Sequence, residues 1–402
     1  MSASTLLSAT NISGKNRLKV IHNCPCWLPI TQIWLYNQIR YLPDSIENHI
    51  FCERTVHLEQ FYLPNIHSFD RIPKWQFYLD KTLRKLKLRH HLEFYVRVAK
   101  REQATLLHSH FGDVGWANLT VARKAGLKQV VTFYGLDVNG LPKKDPIWVQ
   151  RYQKLFEAVD LILCEGSHMA QCIVELGCPK NKVRVHHLGV SIDEIEFKPR
   201  VWTPQTPLKV IMCATFREKK GIPYALEALG QLQARIPLEI TIIGDANPDN
   251  PGEQKEKQKI ITTIAKYNLN SKVRLLGYQP YNVFLEEAER HHIFISPSVT
   301  ASDGDTEGGA PVSIIEMAAS GMPIVSTTHC DIPEIILNGV TGFLAEERDA
   351  SGLLSILNHL IDHPESWNKM LISGRKHVES EYNAKIQASK LAELYQEVAL
   401  VS

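Results

Sequence analysis

The stretch DGDTEGGAPVSIIEM, residues 303 to 317, sets three acids and two adjacent glycines directly ahead of an apolar run. A packed helix needs none of those glycines. A loop whose backbone must approach a ligand does, because a missing side chain lets a phosphate or a sugar reach the amides. Val312, Ile315, Ala318 and Ala319 recur at helical spacing, Pro311 suits the first turn, and Gly321 suits a left-handed stop. Gly308, Gly309 and Ala310 are therefore expected at a helix N-terminus, where free N–H groups and the helix dipole favour an anion. Glu316, roughly a turn and a half inside, would oppose a phosphate. It suits a ribose diol, whose hydroxyls a carboxylate accepts well.

Other chemistry-bearing residues read more plainly. Asp303 and Asp305 form an Asp-x-Asp pair that could hold magnesium through oxygen, but a polar loop explains it equally, and no metal is assigned. His108, His110, His186 and His187 adjoin or alternate at strand ends without a zinc spacing; core histidines account for them, with His110 best placed to touch a sugar hydroxyl. The eight cysteines are scattered, and with no export signal in the N-terminal residues they read as reduced, small buried hydrophobes.

The elements that must position these residues alternate strand and helix. LKVIH (18–22), TLLHS (105–109), QVVTFY (129–134) and LILCEG (161–166) are short, apolar or β-branched runs separated by helical stretches, the rhythm of a parallel sheet. FKPRVWTPQTPLK (197–209) carries three prolines and reads as an interdomain linker. The rhythm then restarts with KVIMCA, LEITIIGD, KVRLLG and IFISPS. Two α/β halves facing each other make a cleft, and ligands in such folds sit at the C-terminal strand ends.

Size and charge agree with this division. A chain of 402 residues exceeds one ordinary core. A net charge of +2 gives no overall attraction to nucleic acid, and no recognised nucleic-acid module is present. No run of apolar residues is long enough to span a bilayer. Residues 74–101, KWQFYLDKTLRKLKLRHHLEFYVRVAKR, carry nine lysines and arginines against two acids, with aromatic and leucine residues interleaved. Such a segment can lie on anionic lipid, although a core helix with a solvated basic face shows the same pattern.

Several motifs in register carry a family resemblance across nearly the whole chain: HSHFGDVGWANLTVARKAG, VTFYGLDVN, CEGSHMAQCIVELGCPKNKVRVHHLGVSIDEIEF, EKKGIPYALEALG, KVRLLGYQPY and PSVTASDGDTEGG. Together they resemble the retaining glycosyltransferases of GT-B type (family 4, group 1), within them the subgroup that builds bacterial exopolysaccharides such as colanic acid. The resemblance implies two Rossmann-like doubly wound domains. Residues 1–199 would bind the acceptor, 200–385 would bind the nucleotide sugar, and a C-terminal helix at 386–402 would pack back on the first domain. It implies transfer of a hexosyl group from a nucleotide-diphosphate sugar to a glycan or lipid-linked acceptor with retention, and no metal or cofactor beyond that donor. The setting would be cytoplasmic, on the inner face of the membrane through 74–101.

By the same resemblance, Glu316 would accept the ribose hydroxyls, and Glu307 with Gly308, Gly309 and Ala310 would contact the transferred hexose. Lys220 would bind the diphosphate. Thr31, Gln32, His110, Tyr134, Gly135 and Asp137 would present the acceptor. The sequence departs from the family at several points. Eight residues separate Glu307 from Glu316 where the family has seven, Thr215 replaces a phosphate-binding arginine that Arg217 could supply, and Tyr134 replaces a histidine. Thr31 and Gln32 stand where the subgroup often has Ser-Glu. Those departures keep open a sugar-nucleotide epimerase of the same fold and a non-catalytic relative acting as an assembly partner. An epimerase would leave the nucleotide attached, and a non-catalytic relative would bind it without turnover.

Overall fold

A computed structural model describes residues 17–29, 32–86, 88 and 92–400. Thr31 lies outside the described residues. Seven parallel strands form the N-terminal sheet: β1 (Leu18–Asn23), β2 (Ile46–Cys52), β3 (Ile66–Ser68), β4 (Leu106–His110), β5 (Lys128–Thr132), β6 (Leu161–Cys164) and β7 (Val183–Val185). Their order is β3-β2-β1-β4-β5-β6-β7. The C-terminal sheet has six: β8 (Leu208–Cys213), β9 (Leu238–Ile243), β10 (Val273–Leu275), β11 (Ile293–Ser296), β12 (Ile324–Thr327) and β13 (Phe343–Ala345), in the order β10-β9-β8-β11-β12-β13. Each sheet runs outward from its first strand in both directions. That leaves a crevice where the order reverses, between β1 and β4 and between β8 and β11, at the C-terminal ends.

Burial on both faces explains why the strands are continuous apolar runs. Val20, Leu106, Val130, Leu161 and Leu163 cover one face of the N-terminal sheet, and the closing helix Ala384–Leu400 lays Leu391, Ala392, Tyr395 and Val398 on them. Val190, Ile192 and Ile195 already belong to the apolar core of the second half, beside Ile314, Ile315 and Ile324. The proline-rich stretch after them is fastened to the second half. Lys198 and Arg200 donate backbone N–H groups to Ser320 and Gly321 carbonyls, the buried Arg200 guanidinium donates to the carbonyls of Lys198, Ala288, His291 and Ser320, and Trp202 enters the core.

The basic segment 74–101 forms two helices. Glu93–Arg101 turns Tyr95, Val96, Val98 and Ala99 into the core. Lys74–Lys85 instead leaves Trp75, Tyr78 and Leu79 exposed, with Leu86 and Leu88 just beyond it. Among the described residues no helix is long and apolar enough to cross a membrane.

Candidate active site

Loops leaving β8, β11, β12 and β13 converge at the C-terminal edge of the second sheet. After β8 the chain passes Arg217, makes a short turn over Glu218–Lys220 and reverses at Gly221. Gly221 has φ +63°, and a Cβ there would lie 1.9 Å from the Pro297 carbonyl oxygen, so only glycine lets Lys220 sit against the β11 loop. Lys220 Nζ donates to Glu307 Oε2 at 2.8 Å, and Ser298 Oγ donates to Glu307 Oε1 at 2.7 Å. The Glu307 backbone N–H donates to His329 Nε2 (3.1 Å), and His329 Nδ1 meets Glu347 Oε1 at 2.6 Å. That pairing sets the tautomer of His329, with the proton on Nδ1. Burial works to raise the Glu307 carboxyl, but Lys220 and Lys219 with the Lys220 and Ser298 hydrogen bonds overcome it and hold it down at about 2.

The neighbouring acid is paired too. Asp305, buried, lies 2.7 Å from Arg217 Nη2 and 3.3 Å from Lys219 Nζ, and Lys219 also donates to the Thr306 carbonyl at 2.7 Å. Asp305 is thereby committed to cations, and its Asp-x-Asp partner Asp303 accepts its backbone N–H. Arg217, Lys219 and Lys220 form one cationic arc around Asp305 and Glu307. Thr215 contributes a backbone carbonyl to the Arg217 N–H. Lys219, one position from the lysine singled out in the sequence, is the buried member of the arc, and burial lowers its pKa.

Glu316 lies inside the helix Val312–Ala319 and is buried. Burial raises its pKa to about 7, while Tyr281 Oη donates to Oε1 at 2.8 Å. The helix begins at Val312, so Gly308 and Gly309 lie ahead of its first turn and not in it. Their lack of side chains has a second cause besides ligand access. A Cβ on Gly308 (φ +81°) would lie 2.3 Å from Gly135 Cα, and one on Gly309 would lie 1.6 Å from Glu165 Oε2. The first half therefore touches the 304–309 loop directly. Asn139 Nδ2 donates to Thr306 Oγ1 across the same seam at 2.9 Å.

On the other wall, Asp137 accepts the backbone N–H groups of Gly112 (2.8 Å) and Tyr134 (3.0 Å), clasping the turns after β4 and β5. Burial raises its pKa to about 6. Gly135 takes φ +110° to press on Gly308. Gln32 stands at the N-terminus of the helix Ile33–Arg40. His110 lies one layer beneath the surface expected for it. It is fully buried, with Nδ1 2.7 Å from Tyr134 Oη and Nε2 3.2 Å from His22 Nδ1. His22, His108 and His110 bring ring nitrogens within 4.8 Å of one another, a grouping that sequence spacing did not show because His22 comes from β1 and pairs in register with His108 on β4. Their nitrogens are engaged with Asn48, Thr132, Tyr134, Tyr395 and each other. His186 and His187 stand apart, on Gln387 and Glu334.

Two facing Rossmann-like domains with a cleft at their C-terminal strand ends define the GT-B architecture. The structure of Anabaena Alr3699/HepE in complex with UDP superposes with a TM-score of 0.74 at 15% identity, covering 94% of this chain and 100% of that one. Sucrose-phosphate synthase from Thermosynechococcus elongatus superposes at 0.73 and 16%, covering 96% and 100%. In sequence, residues 31–194 match Glycosyltransferase Family 4 and residues 193–377 match Glycosyl transferases group 1. The amylovoran biosynthesis glycosyltransferase AmsK of Erwinia amylovora is 34% identical over 72% of this chain and 69% of its own length. WcaL of Escherichia coli (strain K12), a glycosyltransferase assigned to colanic acid biosynthesis, is 32% identical over 75% and 72%. The chain belongs to this glycosyltransferase family.

Proposed function

We propose that the protein transfers a hexosyl group from a nucleotide-diphosphate sugar to a glycan or lipid-linked acceptor in exopolysaccharide synthesis. The arc of Arg217, Lys219 and Lys220 around Glu307, with the buried Glu316 in the helix that follows, is the observation that carries this reading. Departure of a nucleoside diphosphate develops negative charge that fixed cations in a water-poor cleft stabilise. Glu316 accepts ribose hydroxyls, and Glu307, ionised across the working pH range, orients Lys220 and a sugar hydroxyl. Both Glu307 oxygens are held by Lys220 and Ser298, which disfavours its use as a nucleophile, so retention, which the family resemblance implies, would require transfer on the face that the leaving group vacates. The cationic arc does the work that a metal does elsewhere, so the reaction proceeds without one. Amylovoran and colanic acid synthesis, named for the relatives, support the pathway class.

A peripheral position on the inner face of the membrane belongs to the same proposal. Trp75 (65% exposed), Tyr78 (62%) and Leu88 (73%) project beside Lys74, Lys81, Arg84 and Lys85, as an anionic bilayer surface requires.

The test is release of free nucleotide from UDP-, GDP- and ADP-hexoses in the presence of an oligosaccharide or a polyprenyl-diphosphate-linked sugar, with and without EDTA. Turnover with one nucleotide class, undiminished by EDTA and with an anomeric proton of unchanged configuration by NMR, is the expected result. Nucleotide binding without release from any sugar would overturn it in favour of a non-catalytic partner.

A further inference from the structure

Three aromatic side chains meet where the first sheet reverses its order. Trp34 comes from the helix that follows β1, Phe111 from the end of β4 and Tyr134 from the end of β5. The Tyr134 ring centroid lies 4.4 Å from that of Trp34 and 4.9 Å from that of Phe111, and all three rings are only partly buried. Two features show that the arrangement is imposed by the surrounding structure. Phe111 is held at φ +81°, a left-handed conformation that bulky residues avoid, by its N–H bond to the Thr132 carbonyl and the Gly115 N–H bond to its own carbonyl. Tyr134 is tied from behind. Its hydroxyl meets His110 Nδ1, His110 Nε2 meets His22 Nδ1, and His22 Nε2 meets Asn48 Oδ1 at 3.2 Å. An amide oxygen only accepts, so the protons run inward along that chain from the tyrosine. The hydroxyl is committed to the core, and the ring is what remains for a ligand.

The next residue, Gly135, touches Gly308 of the donor-side loop. Glu165 Oε2 packs against Gly309, and the preceding Gly308 packs against Gly135 and the Tyr134 carbonyl, so a carboxyl borders the seam next to the aromatic group. We propose that Trp34, Phe111 and Tyr134 form an acceptor subsite that stacks the apolar C–H face of a pyranose ring, with Glu165 accepting one of its hydroxyls. This rests on the transferase reading and specifies its acceptor: the group docked beside the donor is a sugar ring. An aliphatic chain would meet the Glu165 carboxyl with nothing to offer it, whereas a sugar presents an apolar face and a polar rim together.

Saturation-transfer difference NMR on the full-length protein tests this, with the methyl glycosides of glucose, galactose, mannose and fucose as probes. At least one glycoside should receive saturation at its ring C–H protons. Trp34→Ala should reduce that signal by about fivefold or more, and Trp34→Phe, which keeps a ring, should retain most of it. The thermal shift given by UDP, GDP and ADP on the same samples is the independent readout. No saturation of any glycoside by the wild type overturns the subsite, as does an undiminished signal in a folded Trp34→Ala protein. Absence of every nucleotide shift in the wild type would instead count against the donor reading, and the glycoside signals would still decide the subsite.

Discussion

Two glutamates in one loop-and-helix unit are driven to opposite ionisation by their surroundings. Glu316 has burial and one tyrosine hydroxyl, and rises to about 7; Glu307 has two lysines, and falls to about 2. A carboxyl whose pKa is raised in the native state binds its proton more tightly there than in the unfolded chain. Its contribution is complete below about 4.5 and is lost as pH rises through about 7. Glu316→Gln should therefore gain stability relative to wild type between pH 5 and pH 8, by roughly 2 kcal/mol at the upper end. Thermal melts of both proteins at the two pH values measure it, and parallel curves would contradict it. Glu307 has the opposite sign: its stabilisation is present above about 4.5 and disappears as pH falls through about 2. Lys220→Ala removes the nearest cation to that buried carboxylate. It should cost about 3 kcal/mol or more of stability and lower turnover by about 10²- to 10³-fold, read by denaturant titration and by nucleotide release.

Glycine substitutions separate backbone strain from contact at the scale of turns. Gly126 ends the helix Gly112–Ala125 at φ +69° with nothing within 4 Å of a new Cβ, so Gly126→Ala should cost only about 1 kcal/mol. Gly135, at φ +110°, would place its Cβ 2.7 Å from the Glu307 carbonyl oxygen and from Gly308 Cα. Gly135→Ala should cost more than Gly126→Ala and also part the two halves. Small-angle scattering should then show a larger radius of gyration for Gly135→Ala alone. Equal effects of the two changes in both measurements would mean that the seam between Gly135 and Gly308 does not hold the halves together.

Across the whole molecule, the chain closes on itself. The last helix leaves the second half and buries Leu391 and Tyr395 on the first sheet, where Tyr395 Oη reaches His108 Nδ1 at 2.5 Å. Leu391→Ala should cost about 2–5 kcal/mol. The loss should fall on the first half, seen as earlier proteolysis there while the nucleotide-induced thermal shift persists. A second set of contacts crosses between the halves through acids. Asp331 Oδ1 accepts the His168 N–H and Glu334 Oε1 accepts the Ser167 N–H, both at 2.7 Å, so the helix Ser167–Glu175 of one half is capped by side chains of the other.

The alternation of strand and helix, the restart after residue 209 and the family motifs were readable from local residues, and the GT-B fold followed from them. Periodicity and turn chemistry are encoded among near neighbours in sequence, which is why LKVIH, LILCEG and IFISPS appear as strands within a residue or two of their observed ends. The strand Ile46–Cys52 was not readable, because Glu47, Asn48 and His49 interrupt its apolar run. They are tolerated there because His49 finds Glu47 and His67, and Asn48 finds His22. At the site, Glu316 stood out by its place in the helix, and Lys220 and Glu307 by their positions in the motifs of the resembled family. Lys219, Ser298, His329, Glu347 and Glu165 did not, since each matters through a partner on another strand or in the other half. Ionisation state belongs to that second group. Whether a carboxyl sits at about 2 or about 7 depends on how deeply the fold buries it and which cations reach it, and both are set by contacts between segments far apart in the chain.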